Sequence, residues 1–279
     1  MAAPAPPLAA SPVTPPPAAP RRLPANLQIW IVTLALIIAG AVVGTIKVPS
    51  AGCKPSESCV SGYPWLLMLL IIFVFVLFLG KWICDRPLGI LVSERNLMSL
   101  SRFQMILWTL LILSAYLTMV MERIHAAVGN PLNIAIDPKL WALMGISTAS
   151  LVGTPLLLES KKRQDPTAQT LDNAAKALNE SKSTIDDTRQ GKLYSNVKAT
   201  DARFTDIFQG DDVSNTAYID PAKLQMFLFT LIVAASYGYQ IFHAFYAAPA
   251  GLKMPEVDPG MIALLGISHA GYLGSKTAG

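Results

Sequence analysis

Charged residues are scarce in this chain. They make up 14% of its 279 residues, against about a quarter in an ordinary globular protein. Hydrophobic residues make up 52%, and the mean hydropathy is +0.44. A soluble fold of this size would lack the polar surface needed to cover it. The composition therefore excludes a soluble globular protein and predicts an integral membrane protein that contacts the lipid bilayer.

Residues that carry out common chemistry are also few. The chain has three cysteines and three histidines, and it contains no CxxC, phosphate-binding glycine loop, dinucleotide fingerprint or metal-binding pair. The net charge of +4 comes without a basic patch or an aromatic platform. We therefore expect no metal, no cofactor and no nucleic-acid partner, and we do not expect an enzyme.

Six long apolar stretches set the predicted fold class. A membrane-spanning helix needs about 20 apolar residues, and the stretches that qualify are 27–47, 64–83, 103–121, 140–158, 224–247 and 259–275. We expect an all-α, polytopic membrane protein with six transmembrane helices. Its segments are then a tail (1–26), helices 1 and 2 (27–85), a hairpin of helices 3 and 4 (86–158), a linker (159–219) and a hairpin of helices 5 and 6 (220–279).

The tail at the start of the chain is rich in proline and alanine. Nine of the 21 prolines lie within residues 1–24, a composition that cannot bury a core and favours an extended, polyproline-like chain. We predict a disordered spacer there. A ligand for a proline-binding partner is the alternative interpretation.

The positions of lysine and arginine predict the orientation. When the connections are assigned alternately to two sides, 17 of the 22 basic residues fall on the side of the two termini and the linker. Because basic residues accumulate on the cytoplasmic side, we expect both termini in the cytoplasm, and the general character of the chain is typical of a bacterial inner membrane. Cys53 and Cys59 then lie outside, where a disulfide and two free thiols are both compatible with their spacing.

The second half of the chain repeats itself. RFQMILWTLLILSAY at 102–116 returns as KLQMFLFTLIVAASY at 223–237, and IDPKLWALMGISTASLVG at 136–153 returns as VDPGMIALLGISHAGYLG at 257–274, both at an offset of 121 residues. Over the whole stretch from 102 to 153, aligned with 223 to 274, 17 of the 52 positions are identical. This pattern predicts a tandem repeat of a two-helix hairpin. Both copies start on the same side of the membrane, so the repeats are parallel.

Several repeated residues have a structural interpretation. Serine or aspartate precedes four of the spans, often with proline at the first helical position, as is typical of helix N-caps; the predicted caps are Ser99, Asp137, Asp220 and Asp258. A small residue at every fourth position predicts close helix packing, either within one chain or between copies of it or another membrane protein. The predicted packing residues are Gly40, Gly44, Gly145, Ala149, Gly153, Gly266, Ala270 and Gly274.

A polar stripe suggests a second interpretation of the hairpins. Thr109 and Tyr116 lie seven residues apart, and so do their repeats Thr230 and Tyr237, which places each pair on one helix face. With His269 near the middle of the last span, these residues could line a path for a solute. Hydrogen bonds to their own helix or to a neighbouring helix would explain the same residues.

Residues 145–149, with the sequence GISTA, and His269 resemble the serine and histidine of the rhomboid intramembrane proteases. Those enzymes carry GxSx(G/A) on the fourth helix and a histidine on the sixth, so the resemblance implies Ser147 as a nucleophile. Ser268 repeats Ser147, however, and a motif present in both copies is better explained by packing. The chain also lacks the family's Trp-Arg loop and its oxyanion helix.

The linker is polar but contains apolar positions. Residues 167–189 can form a helix with a thin stripe of Leu171, Ala174, Leu178 and Ile185, and a small apolar cluster of Phe204, Ile207 and Phe208 follows. We expect this segment to dock on the protein's own cytoplasmic face, with a partner as the alternative. Together these features predict a non-enzymatic membrane scaffold or anchor. The alternative is a small-solute or ion channel or transporter, and a rhomboid-like serine protease is a distant third.

Overall fold

The computed structural model describes residues 25–43, 62–245 and 251–277, without the side chains of residues 25–30, 37, 41, 43 and 277. The predicted disordered tail lies almost entirely outside these residues, and so do Gly44, Cys53 and Cys59. The described chain is all-helical and contains no β-strand. The predicted helical class is therefore confirmed.

Eight α-helices and three short 3-10 helices form the described structure. The α-helices are α1 (Ala25–Val43), α2 (Tyr63–Cys84), α3 (Leu100–His125), α4 (Pro138–Lys162), α5 (Ala168–Leu178), α6 (Lys182–Thr188), α7 (Pro221–Ala244) and α8 (Pro259–Thr277). The 3-10 helices are Gly89–Leu91, Ala199–Asp201 and Phe204–Phe208.

Four of the described helices, α2, α3, α4 and α7, are long and apolar enough to cross a membrane. Of the other two predicted spans, α8 is not apolar enough, and α1 is described with side chains only in part. The described apolar run within α1 is only Ile31–Gly40. The 19-residue helix α8 contains glycines, Ser268, His269 and Lys276, which lower its hydropathy. The described part of the chain thus supports a membrane protein with four candidate spans.

The helices α3, α4, α7 and α8 each begin with a cap, in which a side-chain oxygen of the preceding residue accepts backbone N–H groups of the first turn. Ser99 accepts the backbone N–H of Arg102 at 3.5 Å before α3, and Asp137 accepts that of Lys139 at 3.0 Å before α4. Asp220 accepts two backbone N–H groups before α7, and Asp258 accepts that of Gly260 at 2.7 Å. Each cap satisfies donors that the first helical turn leaves without partners.

The long helices pack around one apolar core. α3 contacts α2, α4 and α7, and α8 packs along both α4 and α7. The centre of this bundle is formed by Trp108, Met119, Leu140, Tyr237 and Phe245, all almost fully buried. The indole N–H of Trp65 on α2 donates to Ser114 on α3 at 2.9 Å, so α2 is joined to the bundle by a buried polar contact as well.

The linker was predicted over 159–219, but because α4 continues to Lys162 and α7 begins at Pro221 it comprises residues 163–220. It folds against one end of the bundle, which we call the linker end. The starts of α3 and α7 and the ends of α4 and α8 meet there. The sequence predicts one helix over 167–189, but Asn179 adopts a left-handed conformation (φ 55°) and separates α5 from α6. Two apolar clusters attach this segment: one includes Leu97, Leu171, Ile185 and Val213, and the other includes Met98, Ile207, Met226 and Tyr272.

Candidate functional site

The most unusual polar feature of the described structure is Asp211, a carboxylate surrounded by three cations. Arg95 donates to its Oδ1 at 2.5 Å, Lys223 donates to the same oxygen at 3.2 Å, and Lys276 donates to its Oδ2. All four side chains are buried or nearly so. We call this group of residues the Asp211 cluster.

A tight turn places Asp211 at this point. Gly210 precedes it, and a Cβ on Gly210 would meet the side-chain oxygen of Asn215. That oxygen accepts the backbone N–H of Asp212 at 2.9 Å, and the backbone N–H of Tyr194 donates to the carbonyl of Asp211 at 3.0 Å. The sequence Gly210-Asp211-Asp212 therefore folds so that the two carboxylates point toward the ends of the membrane helices.

The cations come from widely separated parts of the chain. Arg95 lies before α3, Lys223 in the first turn of α7, and Lys276 near the end of α8. Beside them, Lys161 in the last turn of α4 donates to Asp212 at 2.8 Å. Two adjacent aspartates thus join the linker to three of the long helices and to the loop that leads into α3.

Electrostatics keep Asp211 ionised. Burial alone would raise the pKa of this carboxyl, but Lys223, Arg95 and Lys276 outweigh it and hold the pKa well below its usual range. Asp220 lies 3.5 Å from Lys276 and supplies a second negative charge. At Asp206 burial outweighs the opposing contributions and raises the pKa, although the backbone N–H groups of Arg203 and Met98 and the charges of Arg203 and Lys223 act the other way.

A cavity of about 390 Å³ adjoins the Asp211 cluster. It lies between the linker, the start of α3 and the end of α4, and apolar and charged residues both line it, among them Arg95, Leu100, Leu158, Lys223 and Tyr272. A second cavity of about 500 Å³ lies within the linker, and an apolar one of about 380 Å³ lies between α1, α2 and α3.

Polar side chains are buried on both α4 and α8, two helices that pack together. They are Ser147 and Ser150 on α4 and Ser268 and His269 on α8. His269 Nδ1 is 2.8 Å from the carbonyl of Leu265. Among the described residues, His269 Nε2 and Ser147 Oγ have no hydrogen-bond partner. Ser147 and His269 thus do not form the hydrogen bond that joins a nucleophile to its base.

The five residues of the predicted solute path do not gather around one space. Thr109 is exposed, and Tyr116 donates to the carbonyl of Leu132 at 3.2 Å. Thr230 is fully buried and accepts from Gln104 at 2.6 Å, while Tyr237 donates to the carbonyl of Pro255 at 3.3 Å. None of these, nor His269, lines the three cavities described above.

The predicted packing residues divide into two groups. A Cβ on Gly153 would lie 3.7 Å from Leu273, one on Gly266 would lie 4.0 Å from Ile146, and one on Gly40 would lie 3.4 Å from Met68. These glycines lie at helix contacts. By contrast, Ala149 and Ala270 are exposed, and a Cβ on Gly145 or Gly274 would meet no described atom within 4 Å.

A comparison with protein-family models, curated proteins and solved structures finds no match. The site must therefore be interpreted from its own geometry. Sequence reasoning did not select the Asp211 cluster. One signal could have indicated it: Lys223 and Lys276 lie at the same end of two adjacent apolar helices, where buried cations need an acidic partner.

Proposed function

We propose that this protein is a non-enzymatic membrane scaffold whose linker forms a fixed platform on the cytoplasmic end of a six-span bundle. The Asp211 cluster is the observation that carries the proposal. A linker that served only to connect α4 to α7 would have no reason to bury one carboxylate among three cations from separate elements.

The energetics favour a role in geometry. Moving charges out of water costs several kcal/mol for each ion, and a buried network often stabilises a fold no more than apolar side chains of the same shape would. What such a network does provide is one defined arrangement. Any shift of the linker moves Asp211 away from its three cations, and no other acidic group among the described residues lies as close to them. The ordering of residues 163–220 therefore supports presentation of a surface to other proteins.

Charge distribution and helix positions support the topology that we propose. The linker lies on the side with 17 of the 22 basic residues, which favours a bacterial inner membrane with both termini and the linker in the cytoplasm. The hairpin helices begin at Leu100 and Pro138, and then at Pro221 and Pro259. Both pairs of starts are 121 residues apart, as the proposed parallel repeat requires.

Thiol labelling tests this orientation. A single cysteine at Asn130, in the connection between α3 and α4, should react with a membrane-impermeant reagent added to intact cells. A cysteine at Asp187 in the linker should react only after the membrane is opened. The reverse pattern would place the linker outside and end the proposal.

A paired experiment tests the scaffold function. Neighbours identified by proximity labelling should be lost in Asp211→Asn and kept in Asp187→Asn, which changes an exposed aspartate. Liposomes containing the wild-type chain should take up ions and osmolytes no faster than empty liposomes. Neighbours that are unchanged in Asp211→Asn, or a clear flux, would contradict the scaffold.

A further inference from the structure

The two copies of the repeated hairpin bury different faces of their first helices. On α3, one face is turned into the protein and includes the buried residues Gln104, Leu110, Leu111 and Ser114. The residues at the same positions of α7, 121 residues later, are all exposed: Gln225, Leu231, Ile232 and Ala235. We call this the Gln face of each helix. The Gln face is therefore covered in the first copy and uncovered in the second.

The opposite difference holds for a second face, which we call the Thr face. On α7 it includes Thr230 and Ala234, which are buried, whereas the matching Thr109 and Leu113 on α3 are exposed. The contact between the two copies explains the difference at Gln104 and Thr230, whereas Ser114 is covered by Trp65 of α2. Gln104 on the Gln face of α3 donates to Thr230 on the Thr face of α7 at 2.6 Å.

This contact is heterologous, because it joins two different faces of two similar units. A closed two-fold arrangement of the hairpins would also join Gln225 to Thr109 within the chain, but both residues are exposed. Each chain thus retains one unused Gln face on α7 and one unused Thr face on α3. Heterologous contacts of this kind continue from unit to unit, and they form a ring where the rotation between units closes and a filament where it does not.

The second helices of the hairpins show the same relationship. Ile146 on α4 lies against Gly266 on α8, where a Cβ would be 4.0 Å from its Cδ1. The positions that repeat this pair are Ile267 on α8 and Gly145 on α4. Ile267 is 72% exposed, and a Cβ on Gly145 would meet no described atom within 4 Å. A second, independent pair of helices therefore leaves the same complementary surfaces uncovered.

We propose that a second copy of this chain covers the α7–α8 face, with Gln225 bonded to Thr109 of the second copy and Ile267 packed on that copy's Gly145. The chain already shows that these faces fit together, since its own two hairpins use them. Two copies would satisfy both unused faces of each chain and form a ring of four hairpins. The inference rests on the repeat and on the buried faces, and it does not depend on the scaffold function.

Lipid is the other occupant that these apolar faces could have. It would cover Leu228, Ile232 and Ile267 without difficulty, and water and headgroups would bond Gln225 in the second turn of α7, but neither reproduces the hydrogen bond that Gln104 makes to Thr230. Lipid also offers no reason for Gly145 to leave open space at the position that repeats Gly266, on which Ile146 packs. Pairing between copies explains both features, because small residues allow helices to approach closely and amide side chains bond across helices in a bilayer.

Cross-linking between two distinguishable chains tests the contact. Cys53, Cys59 and Cys84 are first changed to alanine, and Thr109→Cys with one tag is expressed together with Gln225→Cys with another. A short bifunctional thiol reagent is then applied to native membranes. A product that carries both tags must join two chains. Ile83→Cys with Gln225→Cys is the matched control, because Ile83 is 76% exposed at the linker end of α2 and lies outside the repeat.

The expected result is a mixed-tag product from the Thr109→Cys and Gln225→Cys pair that exceeds the control roughly tenfold. A tenfold difference corresponds to a free-energy preference of about 1.4 kcal/mol for the specific contact. Cross-linking no greater than the control would show that lipid covers the face and would overturn the proposal.

A substitution that spares the fold gives a second readout. A Cβ at Gly145 meets no described atom within 4 Å, so we expect Gly145→Leu to leave thermal stability unchanged while reducing the mixed-tag product. Gly129→Leu, at another open glycine in the connection after α3, should leave the product unchanged. Equal products from the two variants would contradict the packing of Ile267 on Gly145.

Discussion

Lys276, near the end of α8, donates a hydrogen bond to Asp211 in the linker, 65 residues earlier in the chain. Lys276 also lies 4.5 Å from the centre of the Tyr272 ring on its own helix. One lysine therefore connects the last helix of the bundle to the polar segment that precedes α7. The position of the linker depends on contacts of this kind.

Removal of the Asp211 carboxylate should release the linker. In Asp211→Asn, Arg95, Lys223 and Lys276 stay close together without the negative charge that offsets their mutual repulsion. The loss of one partner from a buried ion pair costs about 3–5 kcal/mol. We expect rapid protease cleavage within residues 163–220 in detergent solution or open membranes. Asp187→Asn, at an exposed position, should be cleaved at the wild-type rate; cleavage of Asp211→Asn at that same rate would show that the cluster does not hold the linker.

The same carboxylate predicts a dependence on pH. The pKa of Asp211 is lower in the folded protein than its ordinary value of 3.8, so folding favours the ionised form. Its contribution to stability is complete above pH 3.8 and is lost as the pH falls through the lower folded value. The difference in melting temperature between wild type and Asp211→Asn should therefore be constant at neutral pH and shrink below pH 3.8. If the melting-temperature difference grew as the pH fell, the pKa of Asp211 would be raised by folding and not lowered.

The buried hydrogen bond between Gln104 and Thr230 should contribute to stability, whereas the repeat of Gln104 should not stabilise the single chain. Gln104→Leu removes a buried polar contact worth about 0.5–1.5 kcal/mol. Gln225→Leu changes an exposed side chain at the matching position of α7 in the second hairpin of the same chain. Chemical unfolding of monomeric protein in detergent should show the first loss only. Equal effects of the two substitutions would contradict the difference between the buried faces.

Gly191 should tolerate no side chain. Its φ is +63°, and a Cβ there would lie within 2.5 Å of backbone atoms of Lys161 and Lys162 at the end of α4. Gly191→Ala forces either that backbone or the linker to move, at a cost of about 1–3 kcal/mol. The melting temperature should fall, while Gly129→Ala, at an open position, should keep it. A stable Gly191→Ala would mean that the linker contacts α4 less closely.

Local sequence signals predict the helices well. The predicted spans 103–121 and 140–158 fall inside α3 and α4, and apolar length together with the capping residues Ser99 and Asp137 accounts for both. The prediction was wrong for the linker helix, because the apolar stripe from Leu171 to Ile185 fits one helix or two equally well. Only the left-handed residue Asn179 decides between them.

The Asp211 cluster could not be predicted in the same way. Its cations lie 116, 12 and 65 residues from Asp211 along the chain, so no local spacing brings them together. Counting basic residues by membrane side places Arg95, Lys223 and Lys276 on one side but treats each as a solvated charge. Their burial follows from how the linker packs, and this depends on tertiary contacts that the pattern of apolar residues does not contain.

A distance measurement between spin labels on Ile83→Cys at the end of α2 and Asp187→Cys in the linker tests the fixed platform most directly. Both positions are exposed, and the native cysteines would be changed to alanine. A single narrow distance distribution, which broadens when Asp211→Asn is added, is the expected result. A broad distribution in the chain that retains Asp211 would contradict a linker held in place by that residue.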